Sequence, residues 1–176
     1  MVKNMKKKII TMTILTSMLL TGSLSVSAAG NYTDPVNGVS YEYTIPNPEI
    51  TVTLMNYDKF KDVTFDQAPV IIDGRTLVPM RAIFEALAMA VTWDDSTKTV
   101  KAAGGQTDII LTVGDNKLYR NTNNRGNAIF ELDVPAQIIN GRTLVPLRAI
   151  GDALNSTVTW NENTHNILFS GYKITI

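Results

Sequence analysis

The 176-residue chain carries 16 basic and 16 acidic side chains, one histidine and no cysteine. Without a basic surplus, neither nucleic acid nor an anionic membrane surface is an expected partner, since both are held mainly by lysine and arginine. Without cysteine there is no disulfide, no thiolate metal site and no lipid-anchored N-terminal cysteine.

The chain opens on Lys3, Lys6, Lys7 and Lys8, runs through a mostly apolar stretch and reaches the small residues Ser27, Ala28 and Ala29. A basic start, an apolar middle and a small-x-small exit mark a secretory signal peptide over residues 1–28, with cleavage after Ala28 or Ala29. An uncleaved anchor is the alternative, because the apolar stretch approaches the ~20 residues of a membrane span. Its threonines and serines favour cleavage. The expected location is therefore secreted or at the extracellular cell surface, with no membrane contact once the signal is removed. Cleavage takes away four lysines and no acid, so the remaining chain is acidic.

Residues 29–48 hold Asp34-Pro35, Asn37-Gly38, Pro46 and Pro48 without a sustained apolar period, and read as a linker. Its tyrosines, Tyr32, Tyr41 and Tyr43, can lie across a domain surface. Ile50, Val52 and Leu54 then alternate with Thr51 and Thr53, a half-buried strand. Val63 and Phe65 suggest its hairpin partner, with residues 56–61 as the turn. Residues 70–72 are a short buried strand closed by an Asp73-Gly74 turn. A helix follows from Pro79, whose missing N–H suits a first helical position. Met80, Ile83, Phe84 and Leu87 give it one apolar stripe. Val91, Trp93 and Val100 lie on two further strands, joined by a polar turn at 94–97.

The later part of the chain repeats this plan. Strands are expected around Ile109, Leu111 and Val113, at Leu118-Tyr119, and over 129–132, with a polar loop at 121–127. Ile138-Ile139 and an Asn140-Gly141 turn lead to a helix from Pro146 with Leu147, Ile150 and Leu154. Strands at 158–160, 167–169 and 172–176 complete it. The sequence itself shows the repetition: GRTLVPMRAI (74–83) returns as GRTLVPLRAI (141–150). Residues 71–100 match residues 138–167 at 17 of 30 positions without a gap. A period of this length points to a duplicated structural unit rather than a local motif. The expected fold class is α+β: antiparallel sheets each packed on one short helix, in a tandem duplicated β-β-α-β-β-type unit. The boundaries read as a signal peptide over 1–28, a linker over 29–48, a first repeat over 49–104 and a second over 105–176.

At GRTLVPMRAIFEAL…VTW, and again at GRTLVPLRAIGDAL…VTW, the chain resembles the copper amine oxidase N-terminal domain-like family, the stalk module of secreted and surface proteins. The resemblance covers about residues 48–176, with the signature present twice. It implies an antiparallel sheet around a helix and an extracellular setting. It does not imply oxidase chemistry, because the family takes its name from a non-catalytic domain. The family usually has Gly directly after the last Leu of the helix. Here Ala88 and Asn155 stand there. Asn tolerates a left-handed cap, and Ala costs about a kcal/mol in one.

No chemical constellation emerges, so no catalytic, cofactor or metal residue is expected. A copper site needs several imidazoles or softer ligands, and His165 stands alone, in a turn where the first stretch has Lys98. Asn56-Tyr57-Asp58 resembles the context of a quinone-forming tyrosine, but without copper Tyr57 reads as a hairpin cap. A serine triad lacks its base. Asp94-Asp95 and Glu131 with Asp133 read as solvated acids. The turns at 94–97 and 161–164 lack the spacing of a calcium loop and are explained by side-chain-to-backbone bonds. Arg75, Arg81, Arg142 and Arg148 have two readings. They form a pair of anion or glycan sites, or they serve structure: Arg81 with Glu85 and Arg148 with Asp152 as i,i+4 pairs, Arg75 and Arg142 on turn carbonyls. The structural reading is preferred. Trp93 and Trp160 read as core anchors ahead of sugar-stacking platforms. Phe84 is matched by Gly151, which allows either an exchange of volume or a close approach of another element.

The leading functional expectation is a secreted, non-enzymatic binding or spacer module at the cell surface or in the wall. Its expected partners are cell-wall glycan or another surface protein. The alternative is a secreted enzyme or enzyme accessory acting on wall polysaccharide or peptide; a cleft gathering Asp, Glu and Arg would favour it. A third reading is a small-ligand or inhibitor protein that uses the 121–127 loop.

Overall fold

The computed structural model describes residues 25–34, 38–47, 49–123 and 126–172. Most of the expected signal peptide, the centre of the 121–127 loop and all of the expected last strand but Tyr172 lie outside the described residues. Fifteen strands and two helices are present among them.

The stretch read as a linker pairs with itself. β1 (Ser25–Thr33) and β2 (Ser40–Asn47) form an antiparallel hairpin that opens the first sheet. β3 (Thr51–Asn56) and β4 (Lys59–Asp62) follow as a second hairpin. Its turn is Tyr57-Asp58, tighter than the 56–61 expected, and Tyr57 adopts φ 56° to make it. Val63, the expected partner residue, still donates its N–H to the Val52 carbonyl at 2.9 Å.

Next come β5 (Val70–Ile72), β6 (Arg75–Pro79), α1 (Met80–Ala86), β7 (Ala90–Asp94) and β8 (Thr99–Gly104). The chain continues through β9 (Thr107–Thr112), β10 (Lys117–Thr122) and β11 (Ala128–Glu131). The later matching stretch then repeats the earlier order as β12 (Gln137–Ile139), β13 (Arg142–Pro146), α2 (Leu147–Ala153), β14 (Thr157–Asn161) and β15 (Asn166–Ser170). Both tight turns, Asp73-Gly74 and Asn140-Gly141, have positive φ at both residues. This backbone matches the twist of a two-residue hairpin.

Both helices stop after seven residues. The cause is the left-handed residue expected from the family departure: Ala88 at φ 60° and Asn155 at φ 56°. In each case the next N–H turns back onto the helix, Met89 to Phe84 O and Ser156 to Gly151 O, both at 2.8 Å. With Ala88 N–H on Glu85 O at 3.0 Å and Asn155 N–H on Asp152 O at 3.1 Å, each helix end has the two bonds of a Schellman cap. The last helical carbonyls receive cations from neighbouring strands: Lys61 Nζ donates to Ala86 O at 3.4 Å, and Arg120 Nη1 to Ala153 O at 2.9 Å.

The α+β expectation is overturned. The protein is mostly β, with 55% of the described residues in strands and 10% in helices, so two-turn helices plug a β structure rather than form a layer of their own. Nor does each repeat close a β-β-α-β-β unit. The strands form three sheets, ordered β1-β2-β5-β6-β13-β12, β11-β10-β9-β8-β7 and β14-β15-β3-β4. In the last of these, β3 pairs in parallel with β15, more than 100 residues away in sequence. β10 and β11 hold the corresponding place beside β8, with β9 inserted between. The hairpin ahead of one matching stretch therefore completes the sheet of the other.

The two stretches meet at β6 and β13. Leu77 pairs with Pro146, Val78 with Val145 and Pro79 with Leu144. These are equivalent positions, so a local two-fold axis passes between Val78 and Val145. As in an isologous dimer, each half offers the other the same surface. Val78 and Val145 face one large core drawn from both stretches. Leu77 and Leu144 face the opposite side, as the two-residue strand period requires. There they join Val70, Ile72, Val134 and Ile139 under Tyr32, Tyr41, Tyr43 and Ile45 of the β1–β2 hairpin. Burial raises the Tyr32 phenol above its ordinary pKa.

Candidate functional site

The glycine-arginine turns place Arg75 and Arg142 at the first positions of β6 and β13. Both side chains reach across the local axis. Arg75 Nε donates to Asp133 Oδ2, and Arg142 Nε to Asp66 Oδ2, each at 2.6 Å. The two acids stand at equivalent positions, so a single contact is made twice. The Arg142 guanidinium holds the Asp66 carboxyl below its usual pKa range. The expected bond to a turn carbonyl appears only as a long secondary one, Arg142 Nη1 to Gly141 O at 3.4 Å. Asp133 is thus a clamp residue rather than a free acid. The sequence signal for it was available: Asp66 and Asp133 share the repeat spacing, just ahead of the aligned stretch.

The helical arginines divide. Arg81 Nε lies 4.0 Å from Glu85 Oε1, the limit of an ion pair. The Arg148 side chain makes no ion pair or hydrogen bond among the described residues, and the expected contact with Asp152 is not formed. The acid there is one methylene shorter than Glu85. Trp93 and Trp160 are 36% and 38% exposed, so neither is a buried anchor. Each sits across a strand pair from an apolar residue, Trp93 from Val100 and Trp160 from Ile167.

These side chains line two concavities. The larger, about 820 Å³, is walled by Gly141, Arg142 and Thr143 of one stretch and by Arg81, Val91 and Trp93 of the other. The smaller, about 350 Å³, is walled by Gly74, Arg75 and Thr76 together with Arg148, Val158 and Trp160. Every one of the nine residues lining the smaller cleft has its repeat counterpart in the larger. The local two-fold therefore makes the same cleft twice, each time from the turn of one stretch and the helix and strands of the other. All six arginines and tryptophans singled out in the sequence line one cleft or the other.

The copies differ at their rims. The larger cleft has an added wall, residues 61–66, and the Glu85 side of α1. It therefore gathers Asp62, Asp66 and Glu85 with Lys61, Arg81 and Arg142. The smaller has two arginines and no acid among its lining residues. Asp62 Oδ1 accepts a hydrogen bond from the Thr53 hydroxyl at 2.6 Å, and Asp66 is bound to Arg142. The acids of the larger cleft are thus partly engaged in structure.

The remaining candidates fall elsewhere. His165 lies in the β14–β15 turn at φ 50°, with its ring tilted against Trp160 at 5.9 Å. Tyr57 is 91% exposed at the tip of the β3–β4 hairpin. Asp94 accepts bonds from the Ser96 hydroxyl and N–H at 2.6 and 2.9 Å, which hold its carboxyl below the usual range. Lys98 does the same for Asp95. Asn161 accepts from the backbone N–H of Asn163 and Thr164, so both turns are organised by side-chain-to-backbone bonds as expected. Among the described residues no group of three or more His, Cys, Asp or Glu is placed to hold a metal ion. No described helix is long and apolar enough to cross a membrane.

Comparison with curated proteins and with solved structures found no match. Comparison with family models found one: the copper amine oxidase N-terminal domain, over residues 59–169. In amine oxidases that N-terminal domain is non-catalytic. The matched residues carry both turns, both helices and the lining of both clefts, and the chain belongs to the copper amine oxidase N-terminal domain family.

Proposed function

We propose that the protein is an exported, non-enzymatic binding module, built from two tandem copies of the family unit, that holds ligand at the cell surface or in the wall. The observation that carries this reading is the duplicated cleft. Two concavities with nine equivalent lining residues each place a half-exposed indole beside two guanidinium groups. An indole face beside planar donors binds flat, polar-edged ligands. Export rests on the basic, apolar and small-residue order of the first 29 residues. Two sites on one chain give avidity for a polymer that presents the ligand repeatedly. Wall glycan is such a polymer.

The larger cleft gives the enzyme alternative one specific observation, since it brings three acids together with three cations. The binding reading is preferred because the three acids are already engaged: Asp66 is bound to Arg142, Asp62 accepts from the Thr53 hydroxyl, and Glu85 faces Arg81. Sedimentation with purified cell wall tests the choice. The chain lacking residues 1–28 is expected in the pellet, and the Trp93→Ala/Trp160→Ala variant in the supernatant. Recovery of the unaltered chain in the supernatant contradicts binding. Release of soluble sugar or peptide from the wall would establish the enzyme instead.

A further inference from the structure

The two clefts share a frame but not a charge. In the larger, Lys61, Arg81 and Arg142 are balanced by Asp62, Asp66 and Glu85. In the smaller, Arg75 and Arg148 line the wall with no acid. Asp133, outside the lining, neutralises one of them through Arg75 Nε. The terminal nitrogens of Arg75 make no hydrogen bond among the described residues, and the Arg148 side chain makes none at all. One uncompensated positive charge and a set of unused planar donors therefore remain beside Trp160. The floor between them is apolar: Ile71, Pro146, Val158 and Ile167.

We infer that the smaller cleft is the charge-selective site of the pair and takes a sugar bearing a carboxylate, whereas the larger takes an uncharged one. This rests on the binding-module reading. A pyranose ring offers a flat face of C–H groups to the indole and to the aliphatic floor. A carboxylate on its edge accepts paired N–H bonds from a guanidinium, the geometry arginine is built to give. A peptide C-terminus carries the same charge but lacks the flat face of C–H groups that the indole and the aliphatic floor would cover. In the larger cleft an incoming anion meets guanidinium groups that already have partners, Arg142 on Asp66 at 2.6 Å and Arg81 facing Glu85 at 4.0 Å. It would have to displace carboxylates already in place.

The chain has two tryptophans, one in each cleft, so the two indole N–H resonances in a ¹H–¹⁵N spectrum report the clefts separately. The probes are trigalacturonate, its fully methyl-esterified form, which keeps the sugar and removes the charge by placing a methyl group on each carboxyl, and a tripeptide with a free C-terminus. Trigalacturonate is expected to move the Trp160 resonance with an affinity about tenfold tighter than the ester, the scale of one charge-assisted bond. Added salt should narrow that gap. Arg148→Ala should bring the acid down to the level of the ester, Arg148→Lys should keep part of the difference, and Lys59→Ala, an exposed cation outside both linings, should leave it unchanged. Equal binding of acid and ester at Trp160 overturns the charge selectivity while leaving the module reading in place. Tighter binding of the tripeptide overturns the assignment to a sugar. A response of Trp93 to the acid matching that of Trp160 overturns the division between the clefts. Silence of both resonances with every probe overturns the inference outright; combined with failure to sediment with cell wall, it removes the module reading as well.

Discussion

At Gly151, an added Cβ would stand 2.5 Å from the Val158 methyl and 3.7 Å from the Phe169 ring. The equivalent positions of the other stretch are Phe84 and Ala102, both fully buried. One large aromatic ring is thus supplied to each half of the core, by the helix in one and by the strand in the other. Close packing permits this exchange because total volume is kept. Gly151→Phe alone should overpack and cost about 1–3 kcal/mol. Adding Phe169→Ala should recover part of that loss, and a urea midpoint unchanged by the single substitution would contradict the exchange. Ala88 is a second test at this scale. It holds φ 60° without the freedom of glycine, so Ala88→Gly should stabilise by about 1 kcal/mol, read from the same midpoint. Neither effect shows in composition. The Phe84/Gly151 mismatch was visible in the aligned sequence, but its partner Phe169 was not, because pairing in space is needed to see which side chain takes up the volume.

Among elements, the short helices and the turns between strands were the most legible. The stripe at Met80, Ile83, Phe84 and Leu87 and the Asp73-Gly74 and Asn140-Gly141 turns are local signals, and they fold locally. Sheet partnership was not legible. Alternation at Val52 and Leu54 announces a strand but says nothing of β15 as its neighbour, since no turn links them. The β1–β2 hairpin was hidden by its Pro and Gly content, and its tyrosines gain burial only against a surface made by other segments. The arginine clamps are exposed and screened by solvent, so each contributes little. Their pH dependence has a definite sign. Asp66 has a folded pKa below its unfolded value, so its contribution is complete above the ordinary carboxylate value of ~4 and is lost as pH falls through the depressed one. The stability gap between the parent chain and Asp66→Asn should therefore be present at pH 7 and shrink below about pH 4. A gap that widens in acid would contradict the clamp.

For the whole molecule, the matching stretches say nothing of how the halves join. An antiparallel pairing of β6 with β13 at equivalent residues turns a tandem sequence into an internal two-fold. The six arginines and tryptophans could be picked out from sequence because both stretches keep them. Their presence in both stretches has a reason in the structure: each residue faces a cleft whose opposite wall belongs to the other half. Of the larger cleft's acids only Glu85 is legible in the sequence, as the partner of Arg81; Asp62 and Asp66 gain meaning only where residues 61–66 come against α1 and β13. The account of both clefts depends on the β6–β13 junction. Nuclear Overhauser contacts between the backbones of Val78 and Val145 test it most directly. Cross-strand contacts between these two valines, with one unfolding transition for both halves, are the expected result. Contacts confined within each matching stretch, with two separate transitions, would contradict the shared clefts and the function proposed for them.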